Sequence, residues 1–316
     1  MNGVPVAMLE QALPVARFEF ELRQLEALRL PHYAGSMLRG AFGHALRRAA
    51  CVTREPECKP CALYRSCVFP AVFDTPAPER SPASQAVNPY VIEGPALGGH
   101  DVAPGETWRF GFVLAGRMLR QMPLVVHAWQ RACESGFRQA GSRAELVAVR
   151  LQGGDGSRCV YDPAVGRLEP FEASRMAAPV QDRAACLRFV TPLRLQENGR
   201  ILNEREIDAR RILMTLARRT QNLLDCHGER ELKLPLKELA AAAGGIEAEV
   251  RMRRHQWSRY SNRQRQEMDL TGLVGEVILR GDLAPFHEFL ALGELLHLGK
   301  NATFGLGRYH LTTEIA

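Results

Sequence analysis

Four cysteines, Cys51, Cys58, Cys61 and Cys67, follow one another as C-x6-C-x2-C-x5-C. Two thiolates separated by two residues reach one metal from a single tight turn, and the outer pair can complete a tetrahedron. The spacing therefore points to a closed, structural metal site, with zinc the expected ion. An iron–sulfur cluster accepts the same four ligands, and four unliganded cysteines in a surface loop is the plainer alternative. The other cysteines, Cys133, Cys159, Cys186 and Cys226, are scattered and read as small buried hydrophobes. Eight cysteines in a chain this long do not make a disulfide scaffold, and a reducing compartment favours metal over disulfides.

A second constellation lies near the C-terminus, in LHLGKNATFGLGRY (296–309). Gly299, Gly305 and Gly307 surround Lys300, Asn301 and Thr303. Glycine lets a backbone approach a ligand and turn its amides toward an anion, and a lysine adds a point charge. No Lys-Ser or Lys-Thr pair follows the last glycine, so this is not a Walker loop. It joins a helix to a strand, the reverse of a dinucleotide fingerprint. A tight connection with no ligand is the bland reading. A third feature is positive charge. Arg251, Arg253, Arg254, Arg259, Arg263 and Arg265 crowd one short stretch with Trp257 and Tyr260 between them. Arginines so dense suit phosphates, and the aromatics suit stacking on an unpaired base, although strand spacing equally allows them to be core.

The totals fit these features. The chain has 316 residues, 46% hydrophobic and 24% charged, enough for a soluble protein with a real core. Lys plus Arg number 41 against 35 Asp plus Glu, a formal charge of +6, which mildly favours a nucleic-acid partner. No apolar run is long enough to span a membrane, and the N-terminus lacks a signal-peptide pattern. The expected location is cytoplasmic, with no membrane partner.

These residues must be positioned by regular elements. Residues 15–24 alternate apolar and polar as a strand, and Ser36 is placed to cap a basic amphipathic helix with Met37, Ala41, Ala45 and Leu46 facing a core. Strands at 89–93 and 107–115, a helix at 117–136 and a strand at 145–151 complete a β-α-β-β-α-β order. The second half repeats it. A strand at 186–195 precedes a helix capped by Asn203, a short helix falls near 234–243, and strands lie at 249–260 and 272–280. A helix at 283–296 and a last strand at 307–313 follow. The expectation is an α+β protein of two tandem ferredoxin-like (RRM-like) domains. The first, 1–165, carries the cysteine-rich insertion at 51–88; the second, 166–316, carries the glycine-rich loop.

Three stretches resemble the repeat-associated RNA-binding (RAMP) superfamily of CRISPR-associated proteins. The first is the C-terminal loop, where that superfamily has Gly-hydrophobic-Gly, five residues including a basic one, then Gly-hydrophobic-Gly. Here the pattern is His297-Leu298-Gly299, then 300–304, then Gly305-Leu306-Gly307, with His297 replacing the first glycine. The second, RYSNRQRQEMDLTGLVGEVILRGDL (259–283), is similar to the precursor-RNA-processing branch. The third, AGSMLRGAFGHALR (34–47), resembles the start of the first helix. The resemblance implies a metal-independent endoribonuclease that binds CRISPR repeat RNA and cuts precursor CRISPR RNA. In that chemistry a ribose 2′-hydroxyl attacks the adjacent phosphate, leaving a 2′,3′-cyclic phosphate and a 5′-hydroxyl.

That reaction needs a base, an acid and positive charge on the phosphorane. Histidine suits the first two near neutral pH. His44, inside the third stretch, is the first candidate, with Tyr33 and His32 next; a helix-surface histidine that merely meets phosphate is the alternative for His44. No carboxylate pair stands out as a two-metal site. Arg39, Arg47 and Arg48 form a basic helix face and join the 251–265 arginines as expected RNA contacts, with Trp257, Tyr260, His297, Gly299, Lys300, Asn301, Thr303, Gly305 and Gly307. His127, His227, His255 and His287 read as structural or surface residues. A non-catalytic RNA-gripping subunit of a CRISPR effector complex shares most of these features, and other effector subunits are possible partners. A zinc-containing DNA-binding regulator would explain the cysteines but leaves the glycine loop unaccounted for.

Overall fold

A computed structural model describes residues 6–79, 85–95, 98–137, 142–154, 156–173, 183–256, 258–261 and 266–312. The chain divides into two compact units. One comprises 10–175 with 221–232, and the other 1–9, 176–220 and 233–316. Helices and strands mix in both, and every sheet is antiparallel.

In the first unit, β1 (Val15–Gln24), α1 (Gly35–Ala50), β2 (Tyr90–Glu93), β3 (Thr107–Ala115), α2 (Met122–Ser135) and β4 (Ala144–Gly153) are followed by β5 (Gly156–Asp162) and β6 (Arg167–Leu168). The sheet order is β2-β3-β1-β4-β5-β6. The alternation of β1 places Phe18, Phe20 and Leu22 on one face, all fully buried. Phe18 lies opposite Phe112 and Leu151, and Phe20 opposite Phe110 and Val149. The two helices cover this face. Phe42 of α1 stacks on Trp129 of α2 at 5.2 Å, and Trp129 meets Phe110 at 4.5 Å. Each buried aromatic stabilises the unit by about 2–3 kcal/mol. The opposite face of β1 carries charge, with Glu21 paired to Arg109 and Arg150.

The structure corrects several sequence expectations here. Helix α1 starts at Gly35 with Ala34 at its N-cap and no side-chain cap, so Ser36 lies inside the first turn. Its buried stripe runs through Leu38, Phe42 and Leu46 rather than Met37 and Ala41, which are only partly buried. β5 and β6 extend the sheet through a stretch that has no clear period in the sequence.

The second unit contains β7 (Ala184–Leu193), α3 (Ala209–His227, of which 221–227 belong to the first unit), α4 (Leu236–Ala242), β8 (Glu247–His255), the hairpin β9 (Ser258–Ser261) and β10 (Gln266–Asp269), β11 (Gly272–Arg280), α5 (His287–Leu296) and β12 (Tyr309–Thr312). Its four-stranded sheet runs β8-β11-β7-β12, with the β9–β10 hairpin separate. The strand expected over 249–260 is therefore two strands. Asn203 caps not the long helix but a short 3-10 turn, Glu204–Glu206, through a reciprocal capping box with Glu206. The buried Tyr309 hydroxyl donates to the Leu290 carbonyl at 2.6 Å, and its ring meets Phe189 at 5.3 Å, so β12 is locked to α5 and to β7. No helix among the described residues is long and apolar enough to cross a membrane.

Candidate functional site

The glycine-rich loop is built by the chain's own backbone. α5 ends at Leu296, whose carbonyl accepts two hydrogen bonds from the half-buried Arg219 guanidinium, at 3.0 and 3.2 Å. Desolvation pulls that guanidinium down to about 10. The next residue, His297, is buried and has φ +60°, a conformation that favours glycine. The loop then runs beside the end of β7. Lys300 N donates to the Arg194 carbonyl (2.8 Å), Leu298 N to the Gly307 carbonyl (3.0 Å) and Gly307 N to the Pro192 carbonyl (3.0 Å). The Thr191 hydroxyl donates to the Gly305 carbonyl and accepts from Arg308 N, both at 2.8 Å. Arg194 itself reaches the Thr271 carbonyl at 2.6 Å.

Two glycines make this possible. A Cβ on Gly299 (φ +87°) would lie 2.7 Å from the Arg194 carbonyl oxygen, and one on Gly307 (φ +69°) would collide with the Leu298 carbonyl group. Their freedom is used for approach of the protein to itself, and several loop amides are spent on internal acceptors. His297, Gly305 and Gly307, expected among the RNA contacts, are buried and shape the loop. What the loop turns outward is Lys300, exposed, with Gly299, Asn301 and Thr303 partly exposed. Lys300 Nζ donates to Gln196 Oε1 at 2.8 Å. Arg219, Thr191 and Arg194 hold the loop, yet nothing local in the sequence marks them for that work.

On α1, Gly40, His44 and Arg48 form an exposed stripe at i, i+4 and i+8. A Cβ at Gly40 would meet nothing within 4 Å, so His44 has open space toward the helix N-terminus. Arg39 and Arg47 depart from the expected basic face. Arg39 donates to the Tyr90 hydroxyl (3.2 Å) and lies 4.3 Å over the Phe73 ring. Arg47 donates to the Glu55 and Pro56 carbonyls at 2.5 and 2.7 Å. Tyr33 is buried and His32 exposed just before the helix. His44 lies on the helix itself, in its third turn.

The arginine cluster is partly visible. Strand β8 is an edge of its sheet, with Arg251, Arg253 and Arg254 exposed. Arg251 pairs with Glu249 at 2.7 Å. Arg259 and Tyr260 lie on β9, opposite Met268 and Glu267. Their side chains, and Trp257, Arg263 and Arg265 altogether, fall outside the described residues.

Cys51, Cys58, Cys61 and Cys67 line one pocket between the end of α1 and the helix Val68–Phe73. The Thr53 hydroxyl lies 3.9 Å from the Cys51 sulfur and 3.5 Å from that of Cys61. The turn holding the x2 pair is closed by Cys61 N donating to the Cys58 carbonyl at 3.0 Å. Backbone hydrogen bonding at Arg54 lowers the Cys51 thiol pKa, while burial raises that of Cys58. Among the described residues no three His, Cys, Asp or Glu side chains already stand in metal-ligating geometry.

A family model described as CRISPR-associated endoribonuclease Cas6 matches residues 187–309, which include most of β7, the β8–β11 strands and the glycine loop. An N-terminal-domain family model matches 13–173. No curated protein sequence matches the chain. Among solved structures, a Cas6 product complex is similar with TM-score 0.58 and 18% identity, covering 95% of this chain and 98% of that one. Thermus thermophilus Cas6 aligns with TM-score 0.53 and 18% identity, over 95% and 99% of the two chains. A partial Cas6-RT-Cas1–Cas2 complex aligns with TM-score 0.56 and 12% identity, over 96% of this chain and 47% of that one. At such identities these likenesses speak to the fold, and the activity rests on the family model over the strands and loop of the second unit. On that match residues 187–309 form a domain of the Cas6 family of CRISPR-associated endoribonucleases.

Proposed function

We propose that this chain binds CRISPR repeat RNA and cuts precursor CRISPR RNA without a metal ion, with His44 as the group that moves a proton at the cut. The carrying observation is the exposed Gly40–His44–Arg48 stripe, which sets an imidazole beside a cation with no bulk on its N-terminal side. His44 takes the proton of the ribose 2′-hydroxyl as the 2′-oxygen bonds to phosphorus. The P–O5′ bond breaks, and a proton donor completes the 5′-hydroxyl, leaving a 2′,3′-cyclic phosphate. The Arg48 guanidinium offsets charge on the phosphorane. Lys300, Asn301 and Thr303 on the loop's outward side, with Arg253 and Arg254 on β8, supply phosphate contacts. Tyr33, buried just before α1, is better suited to holding the start of that helix than to proton transfer.

The strand orders β4-β1-β3-β2 and β8-β11-β7-β12, each with helices after the strands first and third in chain order, support reading the two halves of the chain, 1–165 and 166–316, as ferredoxin-like (RRM-like) domains. Such a protein works in the cytoplasm on repeat RNA, alone or beside other CRISPR subunits.

The test is cleavage of end-labelled repeat RNA in EDTA by the wild type and His44→Ala. A single cut leaving a cyclic phosphate, slowed on the order of 10²-fold or more in the variant, supports the assignment. Full activity in the variant moves the proton transfer elsewhere, and loss of wild-type cleavage in EDTA removes the metal-free chemistry.

A further inference from the structure

We propose that Cys51, Cys58, Cys61 and Cys67 bind one zinc ion as four thiolates, forming a structural knot that ties the end of α1 to the helix Val68–Phe73. The four sulfurs come from different turns, yet all line one pocket. Residues 51–67 contain no helix and no strand, and Val52 and Leu63 are exposed apolar side chains of the same pocket. A turn segment with so little buried area does not repay its ordering entropy by packing, at about 1–2 kcal/mol per residue for the backbone alone. A metal cross-link supplies what the missing core does not.

Charge points the same way. Four thiolates on Zn²⁺ carry a net charge of −2, and Arg47, Arg48, Arg54, Lys59 and Arg65 stand around them in the sequence against only Glu55 and Glu57. Arg47 is already fastened to the segment through the Glu55 and Pro56 carbonyls.

The ends of the segment give the knot its mechanical meaning. Cys51 is the C-cap of α1, its N–H donating to the Arg47 carbonyl, and Cys67 is the N-cap of Val68–Phe73. That short helix packs onto α1 closely enough that a Cβ at Gly43 would strike the Phe73 ring. Zinc would fix the α1 end seven residues beyond His44. Because the thiolates do not yet surround a common point, binding requires them to swing into the pocket they line. All four ligands being sulfur, no position is left for water or substrate, so the ion is structural.

The experiment is metal analysis of the untagged full chain, expressed with zinc and purified under reducing conditions, followed by release into a chromophoric chelator on mercurial treatment. The expected result is one zinc per chain, falling to near zero in Cys58→Ser/Cys61→Ser and unchanged in Cys159→Ser. Cobalt added to the metal-stripped wild type should give the intense visible bands of a tetrahedral thiolate site, a readout that needs no variant to fold. Wild-type chain that carries no zinc and gives only weak octahedral cobalt bands would overturn the proposal. So would iron with acid-labile sulfide in place of zinc.

Discussion

Replacing Gly307 by alanine separates two costs that the glycine loop combines. Gly307 has φ +69°, as does Gly166 in the turn after β5, but their surroundings differ. A Cβ at Gly166 meets nothing within 4 Å, so Gly166→Ala carries only the left-handed backbone penalty, about 1–2 kcal/mol. At Gly307 the added carbon would fall on the Leu298 carbonyl oxygen and within 2.8 Å of its carbon, and a backbone group cannot rotate aside. The loop must open there, giving up the Leu298 N–H···O Gly307 and Gly307 N–H···O Pro192 bonds, each 3.0 Å long. Two buried hydrogen bonds lost at about 1–3 kcal/mol each, added to the backbone penalty, bring the total for Gly307→Ala to roughly 3–8 kcal/mol. The assay is urea unfolding of both variants, with hydrogen exchange at 298 and 307 to localise the effect. RNA binding should fall with Gly307→Ala and not with Gly166→Ala, because only the former displaces Lys300 and Asn301. Equal destabilisation by the two substitutions would refute the packing of the loop onto its own backbone.

Two further outcomes follow from charge. His227 is buried in the first unit with Nε2 2.8 Å from the Val87 carbonyl, and burial pulls its pKa down to about 4. The unfolded chain then binds the proton more readily. The stability this group contributes is present above its ordinary pKa of about 6.5 and is lost as pH falls toward 4, by at most about 3 kcal/mol. Denaturant midpoints at pH 7 and pH 5 should converge in His227→Gln and diverge in the wild type; parallel midpoints in both would remove the assignment. Arg253→Ala and Arg254→Ala should each reduce the slope of log K against log salt for repeat RNA by about 0.7–0.9. Arg251→Ala should change it less, since Arg251 is already paired with Glu249. An unchanged slope in all three would take β8 out of the interface.

Much of the fold is legible because short-range periodicity carries it. The alternation through Phe18, Phe20 and Leu22 sets the buried face of β1, and the mixture of strands and helices appears in the sequence before any contact is known. The family pattern at the loop is legible in the same way. The position where the superfamily has glycine and this chain has His297 is a backbone site of positive φ. Capping signals were less faithful. Asn203 does cap a helix, but a three-residue one, because a short turn with Glu206 satisfies the same local chemistry as a long helix would. Cysteine spacing is visible to the eye, while the convergence of all four on one pocket depends on the turns between them.

By itself, then, the sequence determined the residue types, the periods and the spacings: a basic amphipathic helix carrying a histidine, clustered thiols, a glycine-rich connection and an arginine-dense stretch. Only the tertiary structure decided what each group faces. It turned Arg39 onto Tyr90 and Phe73, and Arg47 onto the carbonyls of the cysteine segment, leaving Arg48 in solvent. It buried His297 and brought Arg219 to the carbonyl of Leu296, 77 residues away. An amphipathic period states which side of an element is apolar, but a hydrogen bond between distant residues exists only after packing has fixed where both ends stand.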